Sequence, residues 1–128
     1  MREVVGVAIL RGGRVLAVRR AHPPSRVGDW ELPGGKVEPD EDPGTTAVRE
    51  VAEELGCTIA VTGWLAGSSP VGESLVLRIA VAELRDGFPV PREHDAVRWL
   101  AADQLDEVRW GAADVPFLPA VRELLVAG

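Results

Sequence analysis

Glu50, Glu53 and Glu54 crowd into the run Arg49-Glu50-Val51-Ala52-Glu53-Glu54-Leu55. On a helix from about Pro43 to Leu55, at 100° per residue, these three carboxylates share an arc of roughly 100°. Like charges at i,i+3 and i,i+4 destabilise a helix by about 0.2–0.5 kcal/mol per pair. Arg49 is the one adjacent cation, and a single guanidinium cannot neutralise three carboxylates. A hard divalent cation can, since Mg²⁺ is held by a few carboxylates together with substrate phosphate oxygens. The competing reading is a solvated acidic face.

The surrounding sequence supplies what such a helix needs. Asp42 followed by Pro43 is an N-cap and first-turn pair, and Gly56 is a helix stop. Ala47, Val48, Val51, Ala52 and Leu55 form the apolar stripe of a core-facing helix. Upstream, Gly34-Gly35 reads as a turn through which backbone can approach a ligand, and Glu41 lies in a polar loop. The pattern Gly35, five residues, Glu41, seven residues, then Arg49-Glu50-Val51-Ala52-Glu53-Glu54-Leu55-Gly56-Cys57 resembles the Nudix box. Its final position is usually aliphatic, and Cys57, a small hydrophobe, keeps that role.

The resemblance implies a loop–helix–loop that binds divalent metal and positions a nucleoside diphosphate derivative for hydrolysis. Trp30 to Lys36 is similar to the stretch before the box in MutT-type nucleoside triphosphate pyrophosphohydrolases. By the same resemblance, Glu50, Glu53 and Glu54 hold the metal, Mg²⁺ or alternatively Mn²⁺. The Gly35 carbonyl is a further ligand, and Arg49 orients the box by pairing with its carboxylates or loop. Glu93, six residues before Trp99, matches the offset of an additional glutamate in that family, where it would complete the metal shell or hold water. Glu50 or Glu93 would be the base. His94 is a second candidate on pKa grounds, although the box needs no histidine.

Four further residues are candidates for substrate contact, each with an ordinary alternative. Arg20 aligns with an arginine directed at the nucleotide, or is a surface charge at a strand end. Lys36, the sole lysine of the chain, meets phosphate or faces water. Arg78 projects opposite Leu77 and Ile79, into a cleft or into solvent. Asp114 caps a terminal helix, reads a base, or does both. The stretch Ala112-Ala113-Asp114-Val115-Pro116 is similar to the cytidine triphosphate branch of the family. An ionised carboxylate only accepts hydrogen bonds, which suits cytosine's amine and equally guanine's N–H groups. His22 reads as a loop residue.

The 128 residues are expected to form one domain spanning 1–128, large enough to bury its own core. A net charge of −6 argues against a nucleic-acid polymer as partner but not against a nucleotide. One cysteine, no secretory signal and no transmembrane run point to a cytoplasmic protein outside the membrane. Nothing in the sequence bears on oligomeric state. Strands are expected at Val4–Leu10 and Val15–Arg20 as a hairpin, at Thr58–Ala66, Ser74–Leu84 and Val97–Leu100. Gly67–Gly72 is expected as a loop, Ala101–Val108 as a short helix, and a terminal helix from Asp114 buries Val115, Leu118, Val121, Leu124 and Leu125. Composition alone gives an α+β domain; the resemblance implies the Nudix fold, an α/β/α sandwich with a mixed central sheet. It also implies a Mg²⁺-dependent enzyme that splits nucleoside triphosphates, CTP or dCTP or oxidised deoxynucleotides among them, into monophosphate and pyrophosphate. The alternatives are hydrolysis of a sugar nucleotide or dinucleoside polyphosphate, and a non-catalytic nucleotide-binding module.

Overall fold

The computed structural model describes residues 2–127. Eight strands form one mixed sheet: β1 (Arg2–Arg11), β2 (Arg14–Arg20), β3 (Trp30–Glu31), β4 (Gly34–Lys36), β5 (Thr58–Trp64), β6 (Ser69–Val71), β7 (Leu75–Asp86) and β8 (His94–Ala101). Helix α1 (Pro43–Leu55) and helix α2 (Leu118–Ala127) cover its two faces, with 3₁₀ helices at Pro24–Arg26, Ala102–Glu107 and Val115–Phe117. Among the described residues no helix is long and apolar enough to cross a membrane.

β1 runs parallel to β7 along most of its length, and the remaining ladders are antiparallel. β1 and β2 form the expected hairpin, yet they pair only at Leu10–Val15 and Arg11–Arg14 before they splay apart. β3 and β4 fill the fork: β3 pairs with the end of β2, β4 with the start of β1, and the Val7 amide donates to the Pro33 carbonyl at 2.7 Å. The Gly34-Gly35 pair is therefore strand rather than turn. Gly34 at φ 155° lies so close to β1 that a Cβ there would overlap the Val5 carbonyl oxygen.

Alternation along the strands builds two cores. Val5, Val7, Ile9, Leu16 and Val18 pack with Ala47, Val51 and Leu55 of α1. Ala8, Val15, Ala17, Leu77 and Ile79 pack on the other face with Phe117, Val121 and Leu125. Helix α1 has the expected bounds: the Asp42 carboxylate accepts from the Gly44 and Thr45 amides at 3.0 and 3.3 Å, and Gly56 ends it at φ 70°.

Other segments depart from expectation. Ser69–Val71, expected as loop, pairs with the start of β7. β8 begins at His94, three residues before Val97. The short helix expected over Ala101–Val108 spans Ala102–Glu107 and is 3₁₀. The segment from Asp114 is a 3₁₀ turn followed by an α-helix that begins only at Leu118, which leaves Val115 half exposed and buries Phe117 in its place. Pro116 and Pro119 supply no amide for a continuous helical ladder there.

Candidate functional site

Helix α1 does not separate into one oily and one acidic side. Val48 and Ala52 are exposed, whereas Glu54 is 6% exposed and belongs to the buried face with Ala47, Val51 and Leu55. One Glu54 carboxylate oxygen is buried without a hydrogen-bond partner. Burial, reinforced by the negative charges of Glu50, Glu93 and Glu31, pushes its pKa to about 8; the Gly34 amide offsets this only in part. Burial likewise raises Glu50, with Arg49 working against it.

Glu50 is pressed against β4, where a Cβ on Gly35 would overlap its carboxylate. Glycine at this position keeps the backbone within reach of that carboxylate. Glu53 points elsewhere: its side chain is 58% exposed and pairs with Arg49 at 3.3 Å. Arg49 is the hub of the box. Its guanidinium donates to both Glu41 oxygens at 2.7 and 2.9 Å, to Glu50 at 3.0 Å and to the Lys36 carbonyl at 3.3 Å. The Arg49 and Thr46 hydrogen bonds hold Glu41 down to about 2.

A small cavity of about 80 Å³ collects Glu54, Glu93, Glu31, Gly34, Arg20 and His94. Glu31 is its most connected member. It accepts from Arg20 Nε at 3.1 Å and Arg26 at 3.5 Å, and meets His94 Nε2 at 3.2 Å. Burial alone would raise Glu31, but the His94 hydrogen bond and the Arg20 charge outweigh it and leave its pKa below the ordinary value.

The same wall of Arg20, Glu31 and Gly34 borders a larger cavity of about 320 Å³, floored by Val71, Leu75 and Leu77. Asp114 and Lys36 also line it. Asp114 does not cap a helix: its carboxylate reaches across to accept from the Leu32 amide at 2.8 Å, and no side-chain cap bond is formed at Val115–Phe117. The backbone at Asp114 is itself helical, whereas a capping residue is typically extended. At 6% exposed, Asp114 has its pKa raised by burial to about 7, with the Leu32 amide as the main opposing influence.

Of the two places open to it, Arg78 takes the one nearer solvent, with its side chain 38% exposed. It sits on the α1 face of β7, stacked over Trp64 at 4.6 Å and 3.6 Å from Glu3, away from the Asp114 cavity. His22, read as a loop residue, lines the small cavity, and its carbonyl accepts from Arg20. The structure thus brings together Arg20, Gly35, Lys36, Glu50, Glu54, Glu93 and Asp114, and turns Glu53 and Arg78 aside. Sequence reasoning passed over Arg26 and Glu31 as site residues. A charged residue between Trp30 and Leu32, both buried, is a signal for Glu31; Arg26, on an irregular proline-rich stretch, offers none.

Among the described residues no three acidic or histidine side chains already stand as a ligating cluster, and Arg49 pairs with both Glu50 and Glu53. The donor set nevertheless fits a hard divalent cation. It is all oxygen, one buried Glu54 oxygen lacks a partner, and the glycine at 35 leaves the Glu50 carboxylate its space.

A family model described as NUDIX domain matches residues 1–121. A Mycobacterium tuberculosis protein provisionally described as 8-oxo-dGTP diphosphatase 2 is 41% identical over 117 residues, 87% of this chain and 81% of that one. The CTP pyrophosphohydrolase of Escherichia coli K12 is 33% identical over 129 residues, 99% of this chain and 96% of the other. The solution structure of the E. coli ORF135 protein superposes with a TM-score of 0.82 at 33% identity, covering 99% of this chain and 92% of that one.

Proposed function

The chain belongs to the Nudix family and is a Nudix hydrolase acting on nucleotide derivatives, and from that premise we propose that it is a nucleoside triphosphate pyrophosphohydrolase dependent on Mg²⁺ or Mn²⁺. The observation that carries this reading is the shared wall of Arg20, Glu31 and Gly34. It joins an acidic pocket to an apolar cavity that ends in Asp114. A polyphosphate and a base need such adjoining compartments of opposite character.

In this reading Glu50, Glu54 and the Gly35 carbonyl would hold the cation, with Glu93 on its loop and Glu53, here paired with Arg49, as further oxygen ligands. When bound, the cation supplies charge neutralisation along the polyphosphate and makes water acidic enough to attack near neutral pH. The chain's own part is positioning. Arg49 keeps Glu50 turned toward β4. Glu50 or Glu93 takes the proton of the attacking water. Arg20 and Lys36 meet phosphate oxygens as hydrogen-bond donors. Asp114, held by the Leu32 amide, faces the base, and Leu75 and Leu77 offer its ring an apolar floor.

The names of the relatives support testing CTP and 8-oxo-dGTP before other substrates. Incubation with CTP, dCTP, 8-oxo-dGTP, a sugar nucleotide and a dinucleoside polyphosphate, followed by chromatographic identification of products, tests the reading. Monophosphate plus pyrophosphate is expected from a triphosphate. Cleavage of the diphosphate esters alone assigns the other hydrolase class, and recovery of every nucleotide intact removes the enzymatic reading.

A further inference from the structure

Helix α1 ends with its last four carbonyls in want of donors, those of Ala52, Glu53, Glu54 and Leu55. The Gly56 amide serves Ala52 at 3.0 Å. The other three are all served by one loop: Val90 N–H donates to Leu55 O at 2.9 Å, Arg92 N–H to Glu54 O at 3.1 Å, and the Arg92 guanidinium to Glu53 O at 3.3 Å. Arg92 pairs with no carboxylate side chain among the described residues. Its charge sits instead at the negative end of the helix dipole. It also lies over Gly56, where a Cβ would come within 2.7 Å of its guanidinium nitrogen. The glycine that ends the helix is thus also the seat of this side chain.

The next residue is Glu93, which lines the small cavity and bears electrostatically on Glu54. The helix that presents Glu50 and Glu54 and the loop that presents Glu93 are one hydrogen-bonded unit, joined through Val90 and Arg92. We propose that Arg92 is a positioning residue, which fixes Glu93 opposite Glu54 by binding its loop to the C-terminal end of α1. A planar fork suits the task because one group covers Gly56 and donates to a carbonyl at once. The inference rests on Glu93 acting in the reaction, as set out under the proposed function.

The test is a double-mutant cycle on R92A and E93Q, read on kcat and KM for whichever nucleoside triphosphate turns over, and on Mn²⁺ affinity by calorimetry. R92A is expected to lower kcat or Mn²⁺ affinity by about 10–100-fold, as loss of a group supporting a ligand does, with KM for nucleotide changed less than about twofold. In the E93Q background R92A should add almost nothing, since residues acting through one another are not additive. R92K, which keeps a donor without the flat fork, should recover part of the loss. In the metal-free protein the amides of Val90 and Arg92 should exchange at least about tenfold faster in R92A, while those of β1 do not change.

A full additional loss on top of E93Q, or wild-type kcat and Mn²⁺ affinity in R92A, overturns the positioning role and leaves Arg92 a helix cap. Wild-type behaviour of E93Q alone shows instead that the reading of Glu93 has failed, whatever R92A does. If R92A does not fold, R92K and R92Q carry the same cycle.

Discussion

Glu54 keeps a buried carboxylate with one unpartnered oxygen and a pKa pushed to about 8, so Gln at this position removes a charge the metal-free fold resists. Glu54→Gln should abolish metal-dependent turnover and, in chelator at pH 8.5, stabilise the protein by on the order of 1–3 kcal/mol. Glu53→Gln is the control. Its target is exposed and loses only an i,i+4 pair with Arg49, so the melting temperature should move by no more than about 1 °C. Chelated melts of both variants check this, and an unstable Glu54→Gln would show that the carboxylate is needed by the fold. Asp114 admits a separate experiment, because it is remote from α1 in sequence and touches the Leu32 amide. Asp114→Asn keeps that acceptor and adds donors. It should change the ratio of kcat/KM for CTP and 8-oxo-dGTP by about tenfold, the effect of one altered base contact; an unchanged ratio would remove Asp114 from base selection.

At the scale of elements, the fork between β1 and β2 does most to shape the site, and it depends on two glycines that face different neighbours. Gly34→Ala would drive a Cβ into the Val5 carbonyl of β1, a backbone atom that cannot yield without separating the ladder. Its outcome should be a protein destabilised by more than about 3 kcal/mol. Gly35→Ala first meets the Glu50 carboxylate, a side chain able to rotate away. That variant should fold, lose about 1 kcal/mol or less, and lose turnover. Circular dichroism melts beside activity assays separate the two, and equal melts would contradict the close approach seen at Gly34. Elements with self-contained signals were legible beforehand: α1 between Asp42 and Gly56, the β1–β2 hairpin, and Glu41, Arg49 and Glu50 by spacing. The fork was not. Gly34-Gly35 has the composition of a turn, and only the partner strand, about thirty residues earlier, makes it a strand. Asp114 misled for the same reason. A local reading sees a helix cap, while its hydrogen-bond partner lies 82 residues away. Arg78 obeyed strand alternation, but periodicity does not say which face carries the cleft.

For the whole molecule, the titrations that matter oppose each other, and their balance sets a pH optimum that should depend on metal. Glu41 and Glu31 have pKa values below the ordinary carboxylate, so the stability they contribute is present above about pH 4.5 and lost as the medium becomes more acidic. Glu54 and Asp114 run the other way. Each binds a proton in the folded state over a range where the unfolded chain has released it, from 4.5 to about 8 for Glu54 and from 3.8 to about 7 for Asp114. Their contribution is intact at low pH, declines through those windows and is flat above them, on the order of a few kcal/mol for the pair. The chelated protein should therefore be most stable near pH 5, and its melting temperature should fall steadily to pH 8.5. A divalent cation holding ionised Glu54 removes that residue's share of the decline and binds more tightly as pH rises. Mn²⁺ should accordingly raise the melting temperature little at pH 5 and most at pH 8.5, moving the optimum toward neutrality. Glu54→Gln should lose this metal response while keeping the shallower decline caused by Asp114, and Asp114→Asn should do the reverse. A Mn²⁺ response of equal size at both pH values, or one retained in Glu54→Gln, would place the cation somewhere other than on the buried edge of α1.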